Sequence, residues 1–160
     1  MFNRRLASIL KLSVLSAVLV FTSNVFADPV KAAFVYIGPT GDHGWTYAHH
    51  KGVMHLKETM GDDVVITAVE SVAENSDSER VITSLARKND IIFTTSFGYM
   101  NPTLKVAARY PDVKFEHATG YKRADNLSTY QAKFYEGRHV LGKVAGLMTE
   151  TNVIGWIASF

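Results

Sequence analysis

The sequence predicts a doubly wound α/β domain, a mostly parallel sheet with helices on both faces. Two observations carry the prediction. Short apolar runs, several of them rich in β-branched residues, alternate with longer segments of helical period. The runs are apolar almost throughout, as strands buried on both faces of a parallel sheet must be.

Residues 32–37, Ala-Ala-Phe-Val-Tyr-Ile, form the first expected strand, and Gly38-Pro39-Thr40-Gly41 ends it. A helix over 45–60 follows, with Trp45, Ala48, Gly52, Leu56 and Met60 near one face and Gly61 as its stop. Val64 to Val69 is the second strand. Ser76-Asp77-Ser78-Glu79 has the spacing of a capping box, so a second helix is expected to start near Asp77 and to stop before Asn89. The third strand covers 91–95, and Asn101-Pro102 offers an N-cap and a first-turn proline for a short helix to about Tyr110. A fourth strand over 113–118, an edge strand over 127–132, a helix over 135–148 and a last strand over 153–158 complete the pattern. The chain stops at Phe160, where a buried parallel strand ordinarily hands over to a helix, so the last strand is expected at an edge or the sequence is a fragment.

The first 27 residues read as a cleavable signal peptide. Arg4 and Arg5 precede an apolar stretch at 6–21 that is broken by Ser8, Lys11, Ser13 and Ser16, and Val25-Phe26-Ala27 places small residues at the cleavage positions. The stretch is shorter and more interrupted than the roughly 20 apolar residues of a membrane span. The mature domain is then 28–160. Removing Arg4, Arg5 and Lys11 from the 17 basic residues leaves 14 against 15 acidic ones, and the formal charge passes from +2 to −1. No basic patch remains to attract nucleic acid or an anionic membrane. The chain has no cysteine, which excludes disulfides, thiolate metal sites, a cysteine nucleophile and a lipid-bearing cysteine. A soluble, non-lipidated protein of a bacterial periplasm fits these features.

In a parallel sheet the loops after the strands emerge on one edge, and three of them stand out: 38–45, 96–100 and 117–121. Their convergence predicts one shared pocket. Trp45 offers a face on which a flat ring can stack, and Asp42 a carboxylate to accept from ring or amino N–H groups. Phe97 and Tyr99 add aromatic surface beside Gly98, where backbone can approach closely. Each has an ordinary alternative: Trp45 as core, Asp42 as a helix cap, the second loop as plain packing. Gly38, Gly41 and Gly44 form neither a dinucleotide fingerprint nor a phosphate loop, and Ser96 lacks the first glycine of a nucleophile elbow. His43, His49, His50 and His55 do not have the spacing of a zinc helix, so no metal is expected.

Three blocks, GPTGDHGWTYAHHKG at 38–52, SERVITSLARKNDIIFTTSFGYMNPTLKVAARYPDVKFEHATGY at 78–121 and FYEGRHVLGKVAGLMTETNVIGWIASF at 134–160, resemble the basic-membrane-protein family of ABC-importer substrate-binding proteins, the purine nucleoside receptor type. The resemblance covers essentially the whole mature chain. It implies a type I periplasmic-binding fold of two lobes closing over a purine, no catalysis, no cofactor, and delivery to a permease in the inner membrane by a monomeric receptor. It also implies that Asp42 and Trp45 are the family's acid and aromatic after the first strand. Phe97, Gly98 and Tyr99 correspond to its second ligand loop, and His117, Thr119 and Gly120 to its third. Trp45-Thr46 stands where the family more often has phenylalanine and asparagine, and this resembles a subgroup associated with free bases such as adenine. Many members carry an aspartate in the third loop, which this chain lacks. Members run to roughly twice this length, so 28–160 is expected to be the N-terminal lobe, with weak or absent binding on its own and an apolar surface where a second lobe packs. The competing readings are an exported α/β nucleosidase using Asp42 as its acid, and a non-functional truncated chain.

Overall fold

The computed structural model describes residues 27–157, with every side chain but that of Asp42. Five strands form one parallel sheet: β1 (Val30–Val35), β2 (Val64–Val69), β3 (Ile91–Thr94), β4 (Lys114–Ala118) and β5 (Leu127–Tyr130), in the order β2-β1-β3-β4-β5. Among the described residues four α-helices connect or follow them: α1 (Trp45–Met60), α2 (Ser76–Ala86), α3 (Met100–Arg109) and α4 (Phe134–Met148). The doubly wound parallel sheet is therefore observed. Register runs Ala33↔Thr67 from β1 to β2, Ala33↔Ile92 from β1 to β3 and Phe115↔Leu127 from β4 to β5.

Alternation along the strands sends side chains to two different cores. Ala33, Val35, Ile92, Phe115 and Leu127 join Ile82, Leu85, Val106 and Ala107 of α2 and α3 on one face. Ala32, Phe34, Tyr36 and Val64 join Val53 of α1 on the other. The chain thus leaves β1 toward one face and β3 toward the opposite face. The two strands are neighbours, so a crevice opens between their carboxyl ends, which is the topological switch point of an open α/β sheet.

Several local expectations change. The buried positions of α1 are Thr46 and Val53, whereas Trp45, Ala48 and Gly52 are exposed. As the first helical residue, Trp45 sits at the sheet's edge rather than over it. Asn75, not Ser76, caps α2: its Oδ1 accepts from the Asp77 N–H at 2.8 Å. α3 begins at Met100 without a side-chain cap, and Asn101 Oδ1 instead accepts from Lys122 Nζ at 2.7 Å. Gly61 does end α1, with φ 55° and its N–H donated to the Lys57 carbonyl.

The expected strand at 153–158 is not formed over its described part. Residues 153–157 are exposed coil, paired with neither edge strand. An apolar run becomes a strand only where a sheet edge receives it. α4 likewise contributes no buried side chain, and Leu147 at its end is 88% exposed. Among the described residues no helix is long and apolar enough to cross a membrane. The expected leader at 1–27 lies, except for Ala27, outside the described residues.

Candidate functional site

At the switch point two hollows of about 440 and 480 Å³ share Trp45, Thr119, Gln131 and Phe134. Both fall within the size range of small-molecule sites. The smaller extends over Ala118 and Tyr130, and the larger over Ser96, Phe97 and Arg138. Trp45, Phe97 and Thr119, one residue from each expected loop, therefore meet on one surface.

Trp45 is held there by its edge. The indole Nε1–H donates to the Thr95 carbonyl, and the Thr95 hydroxyl in turn donates to the Val35 carbonyl at 2.8 Å. The ring is thereby tied across the crevice to β1 and β3 while 38% of the residue stays exposed. His49 lies one turn further along α1, its ring centroid 4.6 Å from that of Trp45, and Phe134 approaches to 5.7 Å. Phe97 is 39% exposed and lies 6.4 Å from Tyr121.

Both of the first two loops are pinned by acids of the β2–α2 connection. Glu70 accepts from the Thr40 N–H and hydroxyl, each at 2.9 Å. Glu74 accepts from the Ser96 hydroxyl and, at 2.9 Å, from the Gly98 N–H. Gly98 has to be glycine for this contact, since a Cβ would overlap the Glu74 carboxyl group, with its oxygens at 2.6 and 2.7 Å.

The remaining expected residues form a layer behind the hollow. Tyr99 is fully buried and its hydroxyl donates to the Val72 carbonyl. Burial first, and the nearby Glu74 second, hold its phenol far above the ordinary range. His117 is also at 0% exposure, beneath the Thr119-Gly120 turn, where a Cβ on Gly120 would lie 2.6 Å from the ring Nε2. Its Nδ1 lies 2.8 Å from the Thr94 hydroxyl, which is 3.1 Å from that of Thr103. Thr103 donates to the Tyr99 carbonyl, so an unbroken chain runs from Nδ1–H through both threonines, leaving Nε2 as a buried, unpartnered acceptor. Burial lowers the His117 pKa to about 4, against a smaller opposing effect of the Thr94 main chain. Asp42 closes a 3-10 turn over Thr40–Asp42, Gly44 caps α1, and the Asp42 side chain lies outside the described ones.

Sequence reasoning did not single out His49 as a wall, Tyr130, Gln131, Phe134 and Arg138 as lining, or Glu70 and Glu74 as clamps. Phe134 and Arg138 stand four apart at the start of an expected helix, a spacing that puts them on one face. No comparable signal marks the two glutamates. Of the other histidines, His43 pairs with the Tyr47 ring and His50 with the Tyr36 ring.

This architecture and these blocks have known counterparts. Residues 29–160 match the Bmp family model, described as ABC transporter substrate-binding protein PnrA-like. A purine-binding protein of Brucella abortus is 56% identical over 133 residues, 82% of this chain and 38% of its own. A Haloferax volcanii protein provisionally named an ABC transporter glucose-binding protein is 42% identical over 83% of this chain and 34% of its own. The chain thus spans little more than a third of these relatives' length. A solute-binding protein of an Aeropyrum pernix ABC transporter system superposes with a TM-score of 0.63 at 26% identity, covering 74% of this chain and 32% of that one. With the family model matching nearly all of the described chain, this protein belongs to the Bmp family of PnrA-like ABC transporter substrate-binding proteins.

Proposed function

We propose that the chain provides one wall of the purine site of an ABC importer's receptor, for a base or nucleoside of the adenine type. The observation that carries this reading is the indole of Trp45, tied through its N–H to Thr95 yet partly exposed at the switch point beside Phe97 and Phe134. A flat heteroaromatic ring gains dispersion and stacking from such surfaces, and polar groups around them fix its orientation. The 56% identical Brucella abortus relative, named a purine-binding protein, supports the same choice.

In this reading Trp45 stacks on the base, Asp42 accepts from its edge, and the Phe97-Gly98 loop borders it. Thr119 forms the floor, while Tyr99, His117 and Gly120 hold the loops from behind. Substrate-binding proteins of ABC transporters work outside the cytoplasm. The 1–27 leader would export this one to the periplasm, unlipidated and monomeric, and the loaded receptor would deliver its ligand intact to the inner-membrane permease. Residues 28–160 would be the N-terminal lobe, and the opposite wall would come from a second lobe.

Saturation-transfer NMR of the 160-residue chain with adenine, adenosine and glucose tests the reading. Signal from a purine and none from glucose is expected, with millimolar rather than micromolar affinity. Signal from glucose alone would contradict it. Chromatography of recovered adenosine separates a receptor from a nucleosidase, since a receptor returns the nucleoside uncleaved.

A further inference from the structure

Side-chain protons on the inner wall of the larger hollow are spent within the protein. Three polar groups are fixed there, and each is already committed as a donor to the protein. The Trp45 indole N–H goes to the Thr95 carbonyl. The Thr119 hydroxyl goes to the Ala118 carbonyl at 2.6 Å. The Ser96 hydroxyl goes to Glu74, whose same oxygen takes the Gly98 N–H at 2.9 Å. These directions follow from chemistry, because a carbonyl or carboxylate oxygen only accepts. Each hydroxyl carries one proton, so Ser96 and Thr119 can offer a ligand only lone pairs. Among the side chains lining the larger hollow, the remaining donors are the Gln131 amide and the Arg138 guanidinium.

We propose that Glu74, by fixing the Ser96 hydroxyl, makes the inner wall an acceptor surface that selects heteroaromatic ligands presenting N–H groups there, an amino group in preference to a carbonyl. The proposal rests on the purine reading above and adds the residue pair that sets its specificity. A ligand carbonyl placed against the Ser96 and Thr119 hydroxyls meets only lone pairs, and a polar group desolvated without a partner is disfavoured. The rim donors suit acceptor ring nitrogens on the ligand's opposite edge. Glu74 acts as a positioning residue: the packing of its carboxyl group where a Gly98 Cβ would stand keeps it from turning away from Ser96.

Adenine and hypoxanthine are close in shape and differ along one edge, a 6-amino group beside an acceptor N1 against a 6-oxo group beside an N1–H. NMR titration of the 160-residue chain should give at least tenfold tighter binding of adenine. Ser96→Ala should bring the ratio close to one. Glu74→Ala frees the hydroxyl to turn its proton toward a carbonyl and should lower the ratio, whereas Glu74→Gln, which keeps an acceptor oxygen, should hold it near the wild-type value. The readout is the ratio of two affinities, which a loss of stability common to both ligands does not move. Equal binding of the two bases by the wild type, or a ratio unchanged in Ser96→Ala, overturns the polarity assignment and leaves the purine reading standing. Absence of binding to either base overturns both.

Discussion

On the side of the sheet covered by α2 and α3, Ile82, Ile92, Val106 and Phe115 are at or below 1% exposure, and α2 and α3 add a surface network in which Glu79 joins Lys105 and Arg109. On the opposite side α1 buries only Thr46 and Val53, and α4 buries nothing. The first face is a finished core, and the second is a scaffold with room left on it. Both hollows are lined from α1, α4 and the carboxyl-end loops. The contrast separates a face whose residues, between the sheet and α2/α3, hold the fold from one whose residues around Trp45 are left partly unpacked, as the proposed ligand wall requires.

The largest expected effect lies on the closed face. Phe115→Ala should destabilise the chain by about 3–5 kcal/mol, measured by urea denaturation, because it leaves a cavity where nothing can collapse. Next is the buried histidine of the same face. The folded chain holds the His117 pKa near 4, against 6.5 ordinarily, so the unfolded chain takes up the proton first. The contribution is complete above about pH 6.5 and is lost as pH falls toward 4, by about 3 kcal/mol in all. Denaturation midpoints across that window should fall in the wild type and flatten in His117→Gln.

On the open face the effects move from stability to binding. Trp45→Ala should cost about 1–3 kcal/mol of purine affinity by titration, the range for stacking of a base on an aromatic ring. Gly98→Ala should push Glu74 off the second loop and cost about 1 kcal/mol, of the order of one hydrogen bond, visible as a shifted melting temperature. Leu141→Ala, in the exposed helix α4, should change stability by less than about 0.5 kcal/mol in the same measurement. A cost there rivalling that of Phe115→Ala would erase the distinction between the faces.

The strands were legible because a parallel sheet leaves a plain mark, continuous apolar runs such as 64–69, which forms β2 over the expected residues. Caps were less so. Asn75, Ser76, Asp77 and Ser78 are all capping residues in a row, and spacing alone cannot choose between them, whereas the fold places Asn75 at the turn. The run at 153–157 shows the opposite failure, since its composition suits a strand but no edge receives it. For the candidate site, loop position placed Trp45, Phe97 and Thr119 on one hollow because convergence at one sheet edge follows from topology. It could not distinguish them from Tyr99 and His117, neighbours in the same loops whose side chains turn into the core. Glu70 and Glu74 lie on a connection with no periodicity, and their grip on the other two loops spans 22 to 30 residues of sequence.

The account turns on where a purine meets this chain, and amide shift mapping during an adenine titration addresses that directly. Perturbations concentrated in residues 44–49, 95–98, 118–119 and 130–138, with the amides of α2 and the outer turns of α3 unmoved, are the predicted result. Perturbations gathered on the α2–α3 face, or none at saturating adenine, would contradict the assignment of the open face as the ligand's wall.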